Sequence, residues 1–158
     1  MASLVDTNVL VYRCDPSAPT KQRLAARLLR DGAESGTLYL AHQGVVEFVS
    51  ALTRPRAVLG GAPLAETAHA HRLAANLLTE FPVLYPDRAI LRTALQGAGA
   101  HQLSWFDAHM WAYAEVNGLD EILSEDFQHG RHYGSVRAHD PFLVAADSVY
   151  ELPPLYGD

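Results

Sequence analysis

Four acidic side chains of this 158-residue chain lie in apolar surroundings, where an acid needs a partner or a specific role. They are Asp6 and Asp126, which each follow a short apolar run, Glu47 within VVEFV, and Asp107 within SWFDAHMW. A buried carboxylate without a partner either raises its pKa or recruits a cation. Several carboxylates in one place select a hard cation such as Mg²⁺ or Mn²⁺. A metal held in this way can activate a water for attack on a phosphate ester.

Each of these acids also has an explanation that needs no metal. Asp6 is able to cap the helical turn that follows it. Ser104 and Asp107 have the spacing of a capping box at the start of an apolar helix. Glu47 fits a solvent-facing stripe of a helix, and Asp126 fits a polar turn. The prediction of a metal site therefore depends on a fold that brings the four acids together.

The elements predicted around these acids alternate between strands and helices. The predicted strands are residues 3–5, 37–42, 82–85 and 121–124, with a last extended segment at 135–140. The predicted helices are 16–32, closed by Gly32, then 44–54, 64–81, 87–99, which ends in the pair Gly97 and Gly99, and 104–118. Such alternation predicts a single α/β domain with a mostly parallel central sheet of four to five strands flanked by helices. We place this domain at residues 1–147 and an irregular tail at 148–158, where prolines block regular structure.

Ligands of parallel sheets bind at the carboxyl ends of the strands, near the point where the strand order reverses. If the first and fourth strands are neighbours there, Asp6 and Asp126 meet. The helix start that carries Asp107 can then approach from beside them.

Composition and charge restrict the function classes. With 49% hydrophobic and 19% charged residues the chain is typical of a globular domain, and its apolar runs are too short to span a membrane. Cys14 is the only cysteine, which excludes an intrachain disulfide and predicts a reducing, cytoplasmic location. The net charge of −6 argues against bulk attraction to nucleic acid, so RNA binding would need local positive charge.

Taken in order, the motifs resemble the PIN domain, the ribonuclease fold of the VapC-type toxins of bacterial toxin–antitoxin pairs. The resemblance covers about residues 4–142 and rests on LVDTNVLVY, VVEFVSALTRP, LSWFDAHMWAYAEVNG and ILSEDFQHGRHYGSVRAHDPF. It implies an endoribonuclease that depends on Mg²⁺ or Mn²⁺ and leaves a 3′-hydroxyl and a 5′-phosphate. It also implies a cognate antitoxin as protein partner and a homodimer.

The resemblance assigns roles position by position. The implied catalytic acids are Asp6, Glu47, Asp107 and Asp126, of which Asp6, Asp107 and Asp126 are implied metal ligands. Thr7 and Ser124 are implied to orient the acids or the hydrated metal. Apart from the resemblance, three basic residues follow the fourth acid closely enough to contact RNA phosphates, namely Arg131, His132 and Arg137. Each of them is equally well explained as an exposed loop charge. Glu125 is expected to point away from Asp126, because side chains alternate along a strand.

Two other functions remain open on the sequence alone. An aspartyl-phosphate phosphatase also places acids at strand ends, but it requires Asp-x-Asp after the first strand and a late lysine. This chain has Asp-Thr-Asn there, and its single lysine is Lys21. A PIN fold with an idle site that binds RNA or a protein is the other alternative, and the presence of all four acids disfavours it.

Overall fold

The sheet is built from short strands, and the central ones are almost wholly apolar, as strands covered on both faces must be. In the computed structural model, which describes residues 1–143, the strands are β1 (Ser3–Val5), β2 (Leu38–Ala41), β3 (Val83–Leu84), β4 (Glu121–Leu123), β5 (His132–Tyr133) and β6 (Val136–His139). Their order in the sheet is β3-β2-β1-β4-β6-β5. All neighbouring pairs are parallel except β5 and β6.

The strand order confirms that the first and fourth strands are neighbours. β1 pairs with β2 on one side and with β4 on the other, so the order reverses at β1. The sheet has six strands, one more than the predicted upper number, because residues 132–133 form β5 in a hairpin with β6. Gly134, with a φ of 60°, and Ser135 form the two-residue connection, and Gly-Ser at this spacing is itself a hairpin signal.

Six α-helices cover the two faces of the sheet in the described residues. They are α1 (Thr7–Tyr12), α2 (Pro19–Ser35), α3 (His42–Thr53), α4 (Thr67–Glu80), α5 (Arg88–His101) and α6 (Trp105–Val116). Side chains of β1 alternate between two buried clusters: Val5 packs with residues of α1 to α4, whereas Leu4 packs with residues of α5 and α6. Helices α1 to α4 therefore cover one face of the sheet, and α5 and α6 cover the other.

Both helix ends that were predicted from glycines are wrong. Gly32 and Gly97 lie inside α2 and α5, where they are buried and allow a close approach. A Cβ at Gly32 would lie 2.1 Å from Leu38, and one at Gly97 would lie 2.1 Å from the ring of Trp111. The helices instead end at Gly36 and Gln102, which adopt the left-handed conformation. Gly32 and Gly97 are therefore needed for close packing and do not terminate their helices.

The predicted tail at 148–158 and the predicted domain boundary at 147 fall outside the described residues. Among residues 1–143, no helix combines the length and the apolar character that crossing a bilayer requires.

Candidate active site

The carboxyl ends of β1 and β4 bring the first and fourth acids to one place. The N–H of Asp6 donates to the carbonyl of Leu123 at 3.0 Å, which joins the two strand ends directly. Asp6 then turns the chain into α1, where its Oδ1 accepts the N–H of Thr7 at 2.7 Å. Asp6 therefore caps a helix and also faces the other acids, so the two interpretations of this residue do not exclude each other.

Ser124 and Asn8 connect Asp6 with Asp126. The hydroxyl of Ser124 donates to Asp6 Oδ2 at 2.6 Å and accepts the N–H of Asp126 at 3.0 Å. The amide Nδ2 of Asn8 donates at 3.0 Å to both Ser124 Oγ and Asp126 Oδ2. Sequence reasoning predicted Ser124 as a supporting residue but treated Asn8 only as part of a helix start. Its position in the first turn after a strand that ends in an acid was the available signal.

Glu47 and Asp107 approach from α3 and α6. Thr7 Oγ1 donates to Glu47 Oε2 at 2.9 Å, which links α3 to the start of α1. The side chain of Gln43 donates to Glu47 Oε1 at 2.8 Å and to the carbonyl of Phe106 at 3.0 Å, which links α3 to the start of α6. Asp107 lies in the first turn of α6, and its N–H donates to Ser104 Oγ at 3.3 Å, so the capping interaction is also present. Sequence reasoning missed the role of Gln43.

The four acids lie close enough together for their charges to shift the pKa values of Asp6 and Asp107. Burial raises the pKa of Asp6 to about 7, the hydrogen bonds from Ser124 and Thr7 oppose this shift, and the charges of Asp126 and Asp107 add to it. Burial also raises the pKa of Asp107, and the charges of Asp126 and Glu47 raise it further. Within residues 1–143 none of the four acids forms a salt bridge with a basic side chain. Among the described residues, the set therefore lacks a basic side chain that would compensate its charge.

The donor set fits a hydrated hard cation. No three His, Cys, Asp or Glu side chains of residues 1–143 are placed to hold one ion together. Magnesium, however, usually takes only one or two carboxylates and keeps several waters. The Oδ1 of Asn8 is buried beside the acids and accepts no hydrogen bond from the described residues, so one more oxygen is free there. The residues thus suit Mg²⁺ or Mn²⁺ bound partly through water.

The raised pKa of Asp6 predicts a specific pH dependence of stability. Because the folded-state pKa lies near 7 and the ordinary value is 3.8, the stability that the protonated carboxyl contributes is fully present below about pH 4 and is lost as the pH rises through 7. We expect the metal-free protein to lose about 3 kcal/mol relative to Asp6→Asn between pH 5 and pH 8. Urea unfolding in chelator at pH 5 and pH 8 measures the difference, and parallel pH curves for the two proteins would contradict it.

A second prediction concerns Asn8. We expect Asn8→Ala to reduce the rate of metal-dependent cleavage by about 10- to 100-fold, because residues that orient metal-binding groups contribute this much. The physical reason is that the side chains of Asp126 and Ser124 each lose a hydrogen-bond donor. Asn76→Ala, at an exposed position of α4, is the matched control. Equal rates for the two variants in a cleavage assay would exclude a role for Asn8.

Glu125 and the three basic residues predicted to contact RNA lie in different surroundings. Glu125 accepts hydrogen bonds from Tyr12 Oη at 2.7 Å and from Lys21 Nζ at 2.6 Å, and it makes no hydrogen bond within the acid set. Arg137 is paired with Glu121, at the amino end of β4, and with His132 on β5. The guanidinium of Arg131 lies 4.5 Å from the ring centroid of Tyr133. The register thus separates Arg137 and His132 from the end of β4 that leads to Asp126, and their RNA contacts stay a prediction.

The arrangement defines a class of protein: a doubly wound α/β fold with an acid-lined site at its reversal point. Solved structures share this fold. The VapC20 toxin of Mycobacterium tuberculosis, described as cleaving the sarcin–ricin loop, matches at 18% identity with a TM-score of 0.56, over 77% of this chain and 87% of that chain. A toxin–antitoxin complex from Klebsiella pneumoniae matches at 16% identity with a TM-score of 0.61, over 89% of this chain and 98% of that chain.

A third similar structure is DNA-bound VapBC from Salmonella typhimurium, with 11% identity and a TM-score of 0.63 over 89% of this chain and 98% of that chain. Identities this low show a common fold only. The model of the PIN domain family matches residues 3–134, and the chain belongs to this family. No curated protein matches the chain in sequence. The resemblance read from the motifs is thereby confirmed.

Proposed function

We propose that this protein is an endoribonuclease that hydrolyses RNA phosphodiesters with Mg²⁺ or Mn²⁺. The observation that carries the proposal is the buried Asp6, which faces Asp107 and Asp126 and has no basic partner in the described residues. A site of this kind is electrostatically incomplete until a cation binds. Membership of the PIN domain family and the fold shared with a toxin described as cleaving RNA also support it.

The side chains of the site have distinct roles in this proposal. Asp6, Asp107 and Asp126 would hold a hydrated metal, partly through its waters. When bound, the metal would lower the pKa of a water and balance charge on the phosphate. The Ser124 hydroxyl and the Thr7 N–H fix the two oxygens of Asp6. Asn8 fixes Oδ2 of Asp126. Glu47 is held by Thr7 and Gln43 and adds negative charge that favours a hydrated cation.

The proposed physiological role is that of the toxin of a type II toxin–antitoxin pair, with a cognate antitoxin and a homodimeric, cytoplasmic form. Similar structures from Klebsiella pneumoniae, Salmonella typhimurium and Rickettsia felis are toxin–antitoxin or VapBC complexes, which supports the antitoxin partner. Large apolar side chains exposed on the described surface, including Val46, Leu95, Trp105 and Phe106, are compatible with a protein partner. Co-purification with a small co-expressed protein would test the pairing.

The contacts of the described residues favour neither of two other functions, an aspartyl-phosphate phosphatase and a PIN fold with an idle binding site. The one lysine, Lys21, forms an ion pair with Glu125 and has no contact with Asp6, unlike the lysine that an aspartyl-phosphate enzyme requires. All four acids face a common site, which an idle binding module would not need.

The direct test is cleavage of a defined single-stranded RNA by the purified protein. We expect cleavage with Mg²⁺ or Mn²⁺, none in chelator, and products that carry a 5′-phosphate and a 3′-hydroxyl. Cleavage that continues in chelator, or products that end in a cyclic phosphate, would refute the proposal. Mapping the cut sites on total cellular RNA then identifies the substrate.

A further inference from the structure

A polar cleft of about 310 Å³ lies next to the acids, between α1 and the end of α3. It is lined by Thr7, Asn8, Tyr12, Asp15, Arg54 and Arg56, among others. Thr7 and Asn8 line the cleft and also contact the acid site, because the side chain of Thr7 donates to Glu47 and that of Asn8 donates to Asp126. A chain bound across the acids therefore continues into this cleft without a gap.

The acidic side chains of the cleft already have partners. Glu125 forms an ion pair with Lys21 at 2.6 Å and accepts the Tyr12 hydroxyl. Asp15 is buried, accepts the N–H of Ser17 at 2.9 Å and lies 3.9 Å from Nη1 of Arg56. These contacts compensate the negative charge of the cleft wall.

Arg54 and Arg56, in contrast, have N–H donors without an acceptor among the described residues. Arg54 is exposed and forms no salt bridge within residues 1–143. The Nε of Arg56 is buried and has no acceptor among the described residues, which is costly for a charged group. An anion in the cleft would lie beside the guanidinium of Arg56 and compensate the charge of Arg54.

Backbone hydrogen bonds hold Arg56 in place. α3 ends at Thr53, and its cap residue Arg54 has extended backbone angles before Pro55. The N–H of Arg56 donates to Ala62 at 3.0 Å, and its carbonyl accepts the N–H of Gly61 at 2.8 Å. The backbone of Arg56 therefore loses little conformational entropy when the cleft binds a ligand.

We propose that Arg54 and Arg56 bind a phosphate of the RNA strand that neighbours the phosphate to be cleaved. This inference rests on the proposed function. Binding by these two arginines would also explain how a protein of net charge −6 holds RNA near the acids. Arg137 and His132 lie level with the amino end of β4, away from Asp126. Arg54 and Arg56 place local positive charge beside the proposed metal site. Phosphate contacts of this kind set position and not sequence preference.

The test is steady-state cleavage of a fluorogenic single-stranded RNA at several salt concentrations. We expect Arg54→Gln and Arg56→Gln to raise KM by roughly tenfold each with a smaller change in kcat. The slope of log(kcat/KM) against log salt should become shallower by about 0.7 for each phosphate that the variant no longer binds. Arg92→Gln, which removes the same charge from an exposed position of α5, is the matched control and should leave both quantities unchanged.

Because Arg56→Gln also disturbs the contact with Asp15, Arg56→Lys is the second variant at this position and should retain most of the salt slope. Wild-type KM and salt slope in Arg54→Gln would overturn the inference while the proposed function stands. Variants that cleave RNA normally but lose a co-expressed protein partner would overturn it as well, because the cleft would then bind an acidic peptide. A wild-type protein that cleaves no RNA would overturn the proposed function itself, and this inference with it.

Discussion

Replacing Asp6 by asparagine is expected to reduce metal-dependent RNA cleavage by at least about a thousandfold, which corresponds to about 4 kcal/mol of transition-state stabilisation. The change removes the buried charge that faces Asp107 and Asp126 and leaves a side chain of the same size. Asparagine can still accept the N–H of Thr7, so the start of α1 keeps its cap. The loss of rate should therefore occur without loss of fold.

Two measurements separate this expectation from simple unfolding. Asp31→Asn, the same substitution at an exposed acid of α2, should cleave at the wild-type rate. The urea midpoint of Asp6→Asn in chelator at pH 8 should equal or exceed that of the wild type, since burial of the charged carboxylate is costly there. An Asp6→Asn protein that is folded and cleaves RNA with Mg²⁺ would exclude Asp6 from the site.

Replacing Gly97 by alanine is expected to lower the free energy of unfolding by about 1–3 kcal/mol, the usual cost of overpacking a core. The new Cβ would lie 2.1 Å from the ring of Trp111. That ring has little freedom to move, because it is buried and its Nε1 donates to the carbonyl of Tyr133 at 2.8 Å. Helix α5 would have to move away from α6, which carries Asp107.

The chain contains its own control two residues further along the same helix. A Cβ at Gly99 would meet nothing within 4 Å, so Gly99→Ala should stabilise the protein by up to about 1 kcal/mol through helix propensity. Chemical denaturation of both variants gives the comparison, with the tryptophan emission as signal. Equal stability of the two variants would mean that the packing of α5 on α6 is looser than the contact distances indicate.

The positions of Asp6 and Asp126 could be predicted because they depend on connectivity. Alternating strands and helices imply a parallel sheet, and a parallel sheet places the residues that follow its strands along one edge. Asp107 followed from the start of an apolar helix beside that edge. Predicting these positions requires only the periodicity of apolar residues and the usual handedness of connections between parallel strands. A single sequence is enough for both.

The residues that were missed depend on contacts between distant segments. Asn8 and Gln43 lie in the first turns of helices, where a polar side chain usually has a local explanation. Their hydrogen bonds to Asp126 and Phe106 appear only once the helices are packed. Gly97 was assigned to a helix end for the same reason, because its need for space comes from Trp111 on another helix. The RNA contact at Arg137 stays a prediction; it relied on sequence distance from Asp126, and the register of β6 pairs Arg137 with Glu121 at the amino end of β4.

The surroundings of Lys21 have a practical consequence. This lysine is the only one in the chain, and it lies against Glu125 and over the rings of Tyr12 and Phe142 at the start of α2. A lysine-specific protease therefore has one target bond, and that bond becomes accessible only when the start of α2 opens. The rate of this single cut reports the local opening of the start of α2, which contacts Glu125 next to Asp126. Limited proteolysis therefore measures local opening next to the site without any label.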